Sequence, residues 1–174
     1  MIRSNHYEVA FEAYLRDRGV GYLAVDEAKR TLLGETDVKS LDFVVVGPKT
    51  AKLVVDVKGR KFPTGTATSS WQNWTEEEDI SGLLRWAGTF GPDYRGVLAF
   101  LYQIQAPYVL PTGTADYFSF KNERYLLRGI DVAEYQQHMR VRSVKWRTVH
   151  LPMAAFRSVV KPFSKFLQLP QPVA

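Results

Sequence analysis

The chain has no cysteine, which excludes disulfide bridges and thiolate metal sites. It also lacks any apolar run of the ~18–20 residues that a membrane-spanning helix needs. Met1-Ile-Arg-Ser leads into a charged helical segment rather than an apolar leader core. A cytoplasmic location is therefore the expectation, with no membrane partner. Histidine is scarce as well. His6, His138 and His150 stand far apart without metal-ligand spacing, so each reads as a surface or core histidine. There is no internal repeat and no clear linker.

What remains is enough to build a core. The 174 residues are 45% hydrophobic, which fits one domain over residues 1–174. Its core is expected over about 5–104 and an extension over about 105–168, with a frayed tail at 169–174. The net charge is +5, a modest surplus that suits a polyanionic partner. Lys49, Lys52, Lys58, Arg60 and Lys61 crowd one region, and Arg140, Arg142, Lys145 and Arg147 another. Such clusters contact phosphates in a salt-dependent way or simply form a solvated strand face.

Two short apolar runs carry the most information. Leu41-Asp-Phe-Val-Val-Val46 and Leu53-Val-Val-Asp-Val-Lys58 are β-branched and bounded by turn residues, so each reads as a strand. The link Gly47-Pro-Lys-Thr-Ala51 is short and suits a hairpin. Pairing Val46 with Lys52 sets Val44 against Val54 and Asp42 against Asp56. Directly opposed residues share a face, with Cβ atoms roughly 5 Å apart. Lys58 follows Asp56 by two residues and projects from the same face. Two opposed carboxylates repel, and a hard divalent cation relieves that repulsion. A nearby amine is suited to orient or deprotonate a water, or to stabilise developing charge. The bland alternative is a solvated strand exit, since Asp-x-Lys alone is a common pattern.

The surrounding elements follow from periodicity. Residues 5–18 read as an amphipathic helix ending at Gly19, and Gly21–Val25 as a strand. Asp26–Leu33 reads as a polar turn or short helix, and Gly59–Ser70 as a loop. Thr75 and Glu78 suggest a capping box for a helix that stops at Gly91-Pro92. Gly96–Ile104 is a nearly continuous apolar strand, buried on both faces, reached through a β-α-β crossover. Tyr117–Phe120 and Arg124–Ile130 read as a hairpin and Asp131–Met139 as a short helix. Val141–Leu151 reads as a strand and Pro152–Leu167 as a terminal helix interrupted by Pro162. Trp71, Trp74 and Trp86 read as core aromatics ahead of base-stacking platforms.

Helix, strand, acid-bearing hairpin with Asp56-Val57-Lys58, helix, strand: this order resembles the core of the PD-(D/E)XK nuclease superfamily, which includes restriction enzymes and archaeal Holliday-junction resolvases. Leu41-Asp42 lacks the proline of the superfamily's name, whereas Asp56-Val57-Lys58 matches fully. The resemblance covers residues 5–104. It implies an α/β fold, a mixed sheet flanked by helices in the order α-β-β-β-α-β, and a magnesium-dependent phosphodiesterase site, with manganese as an alternative ion. The implied catalytic set is Asp42, Asp56, Lys58 and a helical acid, for which Glu8 is preferred over Glu12. The implied metal set is Asp42, Asp56, Val57 and Glu8. Glu8 has an equal claim as the partner of Asn5 in an N-terminal capping box. Arg60, Lys61 and Gln103 are candidates for nucleic-acid contact. Asp26-Glu-Ala-Lys29 carries a similar acid-x-Lys pattern but has no acid on a paired upstream strand, so it reads as a decoy.

A metal-dependent nuclease acting on DNA is thus the leading expectation, with RNA and a homodimer left open. An inactive nuclease-fold DNA-binding module and a structural or partner-binding α/β protein are the alternatives.

Overall fold

A computed structural model describes residues 5–26, 41–47, 52–64 and 70–168. The decoy residues Glu27–Lys29, the tip of the first hairpin at 48–51 and the tail lie outside them.

The chain opens with helix α1 (His6–Asp17), capped by the Asn5 side chain, which accepts from the Tyr7 N–H at 3.1 Å. Strands β1 (Gly21–Ala24), β2 (Phe43–Val46) and β3 (Lys52–Phe62) follow. A short β4 (Thr75–Glu76) leads into α2 (Glu77–Phe90), which returns the chain to β5 (Tyr94–Ile104). Strands β6 (Tyr117–Phe120) and β7 (Glu123–Asp131) form a hairpin, whose turn residues Lys121 and Asn122 both take positive φ. Then come α3 (Val132–His138), β8 (Arg140–Ser143), β9 (Thr148–His150), α4 (Met153–Val159) and β10 (Lys161–Pro162).

The main sheet runs β1-β2-β3-β5-β7-β10, with β6 also on β7. It is mixed: β3 and β5 are parallel, as the α2 crossover requires, and the other neighbours are antiparallel. A small second sheet, β4-β9-β8, stands beside it. The main sheet is covered on both faces. Leu53, Val55, Val57, Val97, Ala99 and Leu101 pack with Phe11, Tyr14 and Leu15 of α1. Val54, Leu98 and Phe100 pack with Ile80 and Leu83 of α2 and with Tyr135 of α3. The period of two thus sends odd residues of β3 to α1 and even residues to α2.

Several boundaries differ from expectation. β3 does not end at Lys58 but continues through Gly59, Arg60 and Lys61 to Phe62, because every residue from Lys52 to Phe62 pairs with β5. That ladder overrides the weak strand preference of Gly59 and the charged residues. Gly59 is needed where it is: a Cβ there would overlap the Tyr7 ring, so glycine lets α1 lie against β3 beside the site. The stretch Val141–Leu151 is not one strand. It folds back on itself as the β8–β9 hairpin, turning at Val144–Arg147, where Arg147 has φ +50°. The terminal helix is shorter than expected and ends at Val159. Pro162 has no N–H to extend it, and Lys161–Pro162 instead borders β7 as an edge strand.

Candidate active site

The first hairpin pairs Val46 with Lys52, Val44 with Val54 and Phe43 with Val55. One step further, the Asp42 N–H donates to the Val55 carbonyl at 2.9 Å, and the Asp42 and Asp56 carboxyl groups are neighbours. Both belong to the α2 face, as does Lys58. The Asp42 carboxylate accepts from the Val57 N–H at 2.7 Å and is hydrogen-bonded to Asp56. Residues 55 and 57 direct their N–H and C=O groups toward the β2 side of the strand. The Val57 carbonyl therefore also faces the Asp42 end of the hairpin.

Lys58 is held by two acids. Its Nζ lies 2.9 Å from Asp56 Oδ2 and 2.8 Å from Asp79 Oδ2. Asp79 comes from the first turn of α2, where its side chain caps the Glu76 N–H at 3.0 Å and receives the Thr75 hydroxyl at 2.5 Å. It is buried, with a side chain only 1% exposed. The capping box of α2 is Glu76 with Asp79, one residue beyond the expected Thr75 and Glu78. The helix begins later because Thr75 and Glu76 are taken into β4, paired to β9.

The electrostatics follow from burial. Burial pushes the Asp42 carboxyl up to about 8, helped by the Asp56 charge and opposed by the Val57 N–H. Burial raises Asp56 too, against the pull of Lys58. The two acids therefore titrate as a pair, both held above the ordinary carboxylate range, with Lys58 favouring the charged form of Asp56. For Lys58 burial acts downward, but Asp56 and Asp79 outweigh it and the net shift is up. Lys58 is a firm ammonium. It is suited to orient an anion or stabilise charge.

The fold brings the expected residues together unevenly. Glu8 is close enough for its charge to raise Asp42, yet its Oε1 accepts from the Asn5 side chain at 3.1 Å. Among the described residues, no group of three or more His, Asp or Glu side chains is gathered closely enough to hold a metal ion. The donors that do fit a hard cation are Asp42, Asp56 and the Val57 carbonyl. Magnesium commonly takes only one or two carboxylates and completes its shell with water and phosphate oxygens. A cation there would favour the charged forms of Asp42 and Asp56, which burial disfavours.

Arg60 points to the same face as Lys58, but it is committed internally. Its guanidinium donates to the Gly59 and Trp74 carbonyls and lies 4.2 Å from the Trp74 ring centroid. Lys61 and Gln103 are direct neighbours in the β3–β5 ladder and belong to the α1 face, away from Lys58. Gln103 lines a separate cavity of about 360 Å³ with His6 and Tyr125. Trp71 is half-buried and packs against the core, stacked on Phe62 with ring centroids 3.5 Å apart.

Asp79 is not singled out by the sequence, and Thr75 only as a helix cap. A signal exists: Asp79 falls on the buried stripe of α2 with Ile80 and Leu83, and an acid on an apolar stripe needs a buried partner.

A mixed sheet with helices on both faces, its β-α-β crossover following an acid-bearing hairpin, is a restriction endonuclease-like fold. Among solved structures, the chain is similar to Hjc, a Holliday junction resolvase of the archaeal hyperthermophile Archaeoglobus fulgidus. The TM-score is 0.55 at 12% sequence identity, over 94% of this chain and 93% of that one. No family model matches the chain, and no curated protein matches it in sequence. The likeness is one of fold. Among the described residues, no helix is long and apolar enough to cross a membrane.

Proposed function

We propose that the protein is a divalent-cation-dependent nuclease that hydrolyses phosphodiester bonds in DNA. The observation that supports this reading is the Asp42 carboxyl beside that of Asp56, with the Lys58 ammonium 2.9 Å from Asp56, in a fold similar to that of a Holliday junction resolvase. Asp42, Asp56 and the Val57 carbonyl are the oxygens that would hold magnesium or manganese. Such an ion polarises a phosphate and acidifies a bound water.

The chain's own residues do the rest. Lys58 offers a positive charge to a phosphate oxygen or to the attacking water, and it stabilises the negative charge that builds up in the transition state. Asp79 positions that charge from behind and keeps the amine protonated. The Val57 N–H fixes the Asp42 carboxylate, spending one of its oxygens on the backbone. Glu8 contributes negative potential from the end of α1.

The test is a cleavage screen with magnesium and with manganese over single-stranded, duplex and branched DNA, run beside Lys58→Ala. Loss of one such electrostatic group lowers the rate by ~10²–10³-fold, while a metal-induced rise in melting temperature should survive in the variant. A Lys58→Ala protein that cuts as fast as wild type would remove Lys58 from the mechanism. A second reading is a DNA-binding module without catalysis. It is favoured by one observation, the absence of a third acid gathered with Asp42 and Asp56 among the described residues.

A further inference from the structure

The β8–β9 hairpin carries Arg140, Arg142, Lys145 and Arg147 with no acid between positions 140 and 150. Three of its apolar residues face outward, Val141 67% exposed, Val144 83% and Trp146 68%, while Val149 is buried. Trp71, Trp74 and Trp86, in contrast, are half-buried. A large aromatic left in water inside a ring of like charge marks a contact surface.

The hairpin is held firmly. The Ser143 hydroxyl accepts from the Trp146 N–H at 3.2 Å, and the Arg147 N–H closes the turn on the Val144 carbonyl at 3.3 Å. It is also fastened to the candidate active site. Arg147 pairs with Glu78 at 3.1 Å and Glu77 at 3.7 Å, in the same first turn of α2 that presents Asp79 to Lys58. The Arg142 guanidinium lies 4.8 Å from the Trp74 ring centroid, over the ring that also carries Arg60. These anchors leave Lys145 and Trp146 at the tip, with the amine 5.0 Å from the indole centroid.

We propose that this hairpin binds DNA that exposes unpaired bases, with Trp146 stacking on a base and Lys145 and Arg140 meeting the flanking phosphates. The inference rests on DNA as the partner of the candidate site. The charge selects a polyanion. The exposed indole selects the unpaired form, because in a duplex the base faces are already covered by their neighbours. An aromatic side chain stacked on a base is a recurrent platform for single-stranded nucleic acid.

The experiment measures affinity in EDTA, so that no cleavage intervenes. The probes are a labelled fork with unpaired arms and a blunt duplex of the same paired sequence. Trp146→Ala should weaken fork binding about tenfold and change duplex binding less than about twofold, and Trp146→Phe should keep most of the fork affinity. Equal losses on both probes, or no loss on the fork, would overturn the proposal. A wild-type mass in solution that falls by half in Trp146→Ala would assign the surface to a second copy and overturn it as well. Wild type that binds both probes and cuts DNA, with Trp146→Ala indistinguishable from it, sinks this inference alone. Wild type that binds neither probe sinks it together with DNA as the partner.

Discussion

Asp79 reaches from the first turn of α2 to the Lys58 ammonium at 2.8 Å, and so ties the crossover helix to the strand that carries Asp56. The contact explains why α2 begins where it does. One carboxylate caps the Glu76 N–H, takes the Thr75 hydroxyl and balances a buried amine.

Asp79→Ala should therefore be costly. It strands the Lys58 ammonium with one acid and removes a helix cap. Breaking a buried ion pair from one side costs about 3–5 kcal/mol, and Asp56 remains to hold the amine, so a loss of about 3 kcal/mol is expected in urea denaturation. A loss below about 1 kcal/mol would mean that the pair behaves as a solvated one.

Asp42 predicts a pH dependence. Its folded pKa of about 8 stands above the ordinary value of 3.8. Between those values the folded state binds more protons than the unfolded state, so this group's contribution is fully present in acid and is lost as pH rises toward 8. Asp42→Asn removes that contribution. Denaturation profiles measured from pH ~5 to ~9 should fall less steeply with pH in the variant than in wild type. Parallel profiles would place the titrating proton elsewhere.

Salt dependence separates the basic residues. Arg60 is occupied by Trp74 and the Gly59 carbonyl, so Arg60→Gln should lower stability and leave the salt slope of DNA binding unchanged. Lys145→Gln should do the reverse and reduce the slope of log K against log salt by about 0.9 for duplex DNA or about 0.7 for a single strand. A slope that drops with Arg60 and not with Lys145 would reverse the assignment of the contact surface.

The hairpin register was legible because its apolar residues leave one alignment. A one-residue slip of β2 against β3 would turn Asp42 into the α1 layer, away from Asp56, and bring Phe43 out of it. The crossover was legible for a similar reason: Gly96–Ile104 is too apolar for anything but a central strand. The end of β3 was hidden. Gly59-Arg-Lys61 reads as a strand exit until β5 is seen to pair with all of it, and that pairing is set by tertiary contacts. The β8–β9 turn was hidden because Val144–Arg147 contains neither glycine nor proline, and the positive φ falls on Arg147. In the site, Asp42, Asp56 and Lys58 were legible from alternation. Asp79 was not, since its link to Lys58 joins positions brought together only when α2 packs on the sheet. Arg60 reads as a candidate nucleic-acid contact because sequence shows its charge and not the Trp74 ring beside it.

The central claim is that Asp56 holds a catalytic cation opposite Asp42. Its most direct test is DNA cleavage by wild type and by Asp56→Asn in magnesium, with the magnesium-induced shift in melting temperature recorded for both. The amide keeps the size of the side chain but not the charge that a hard cation needs. Wild type should cut and be stabilised by magnesium, and the variant should fold, bind DNA, show no magnesium shift and cut nothing. A variant that cleaves at the wild-type rate, or a wild type that neither cuts nor responds to magnesium, would contradict the account.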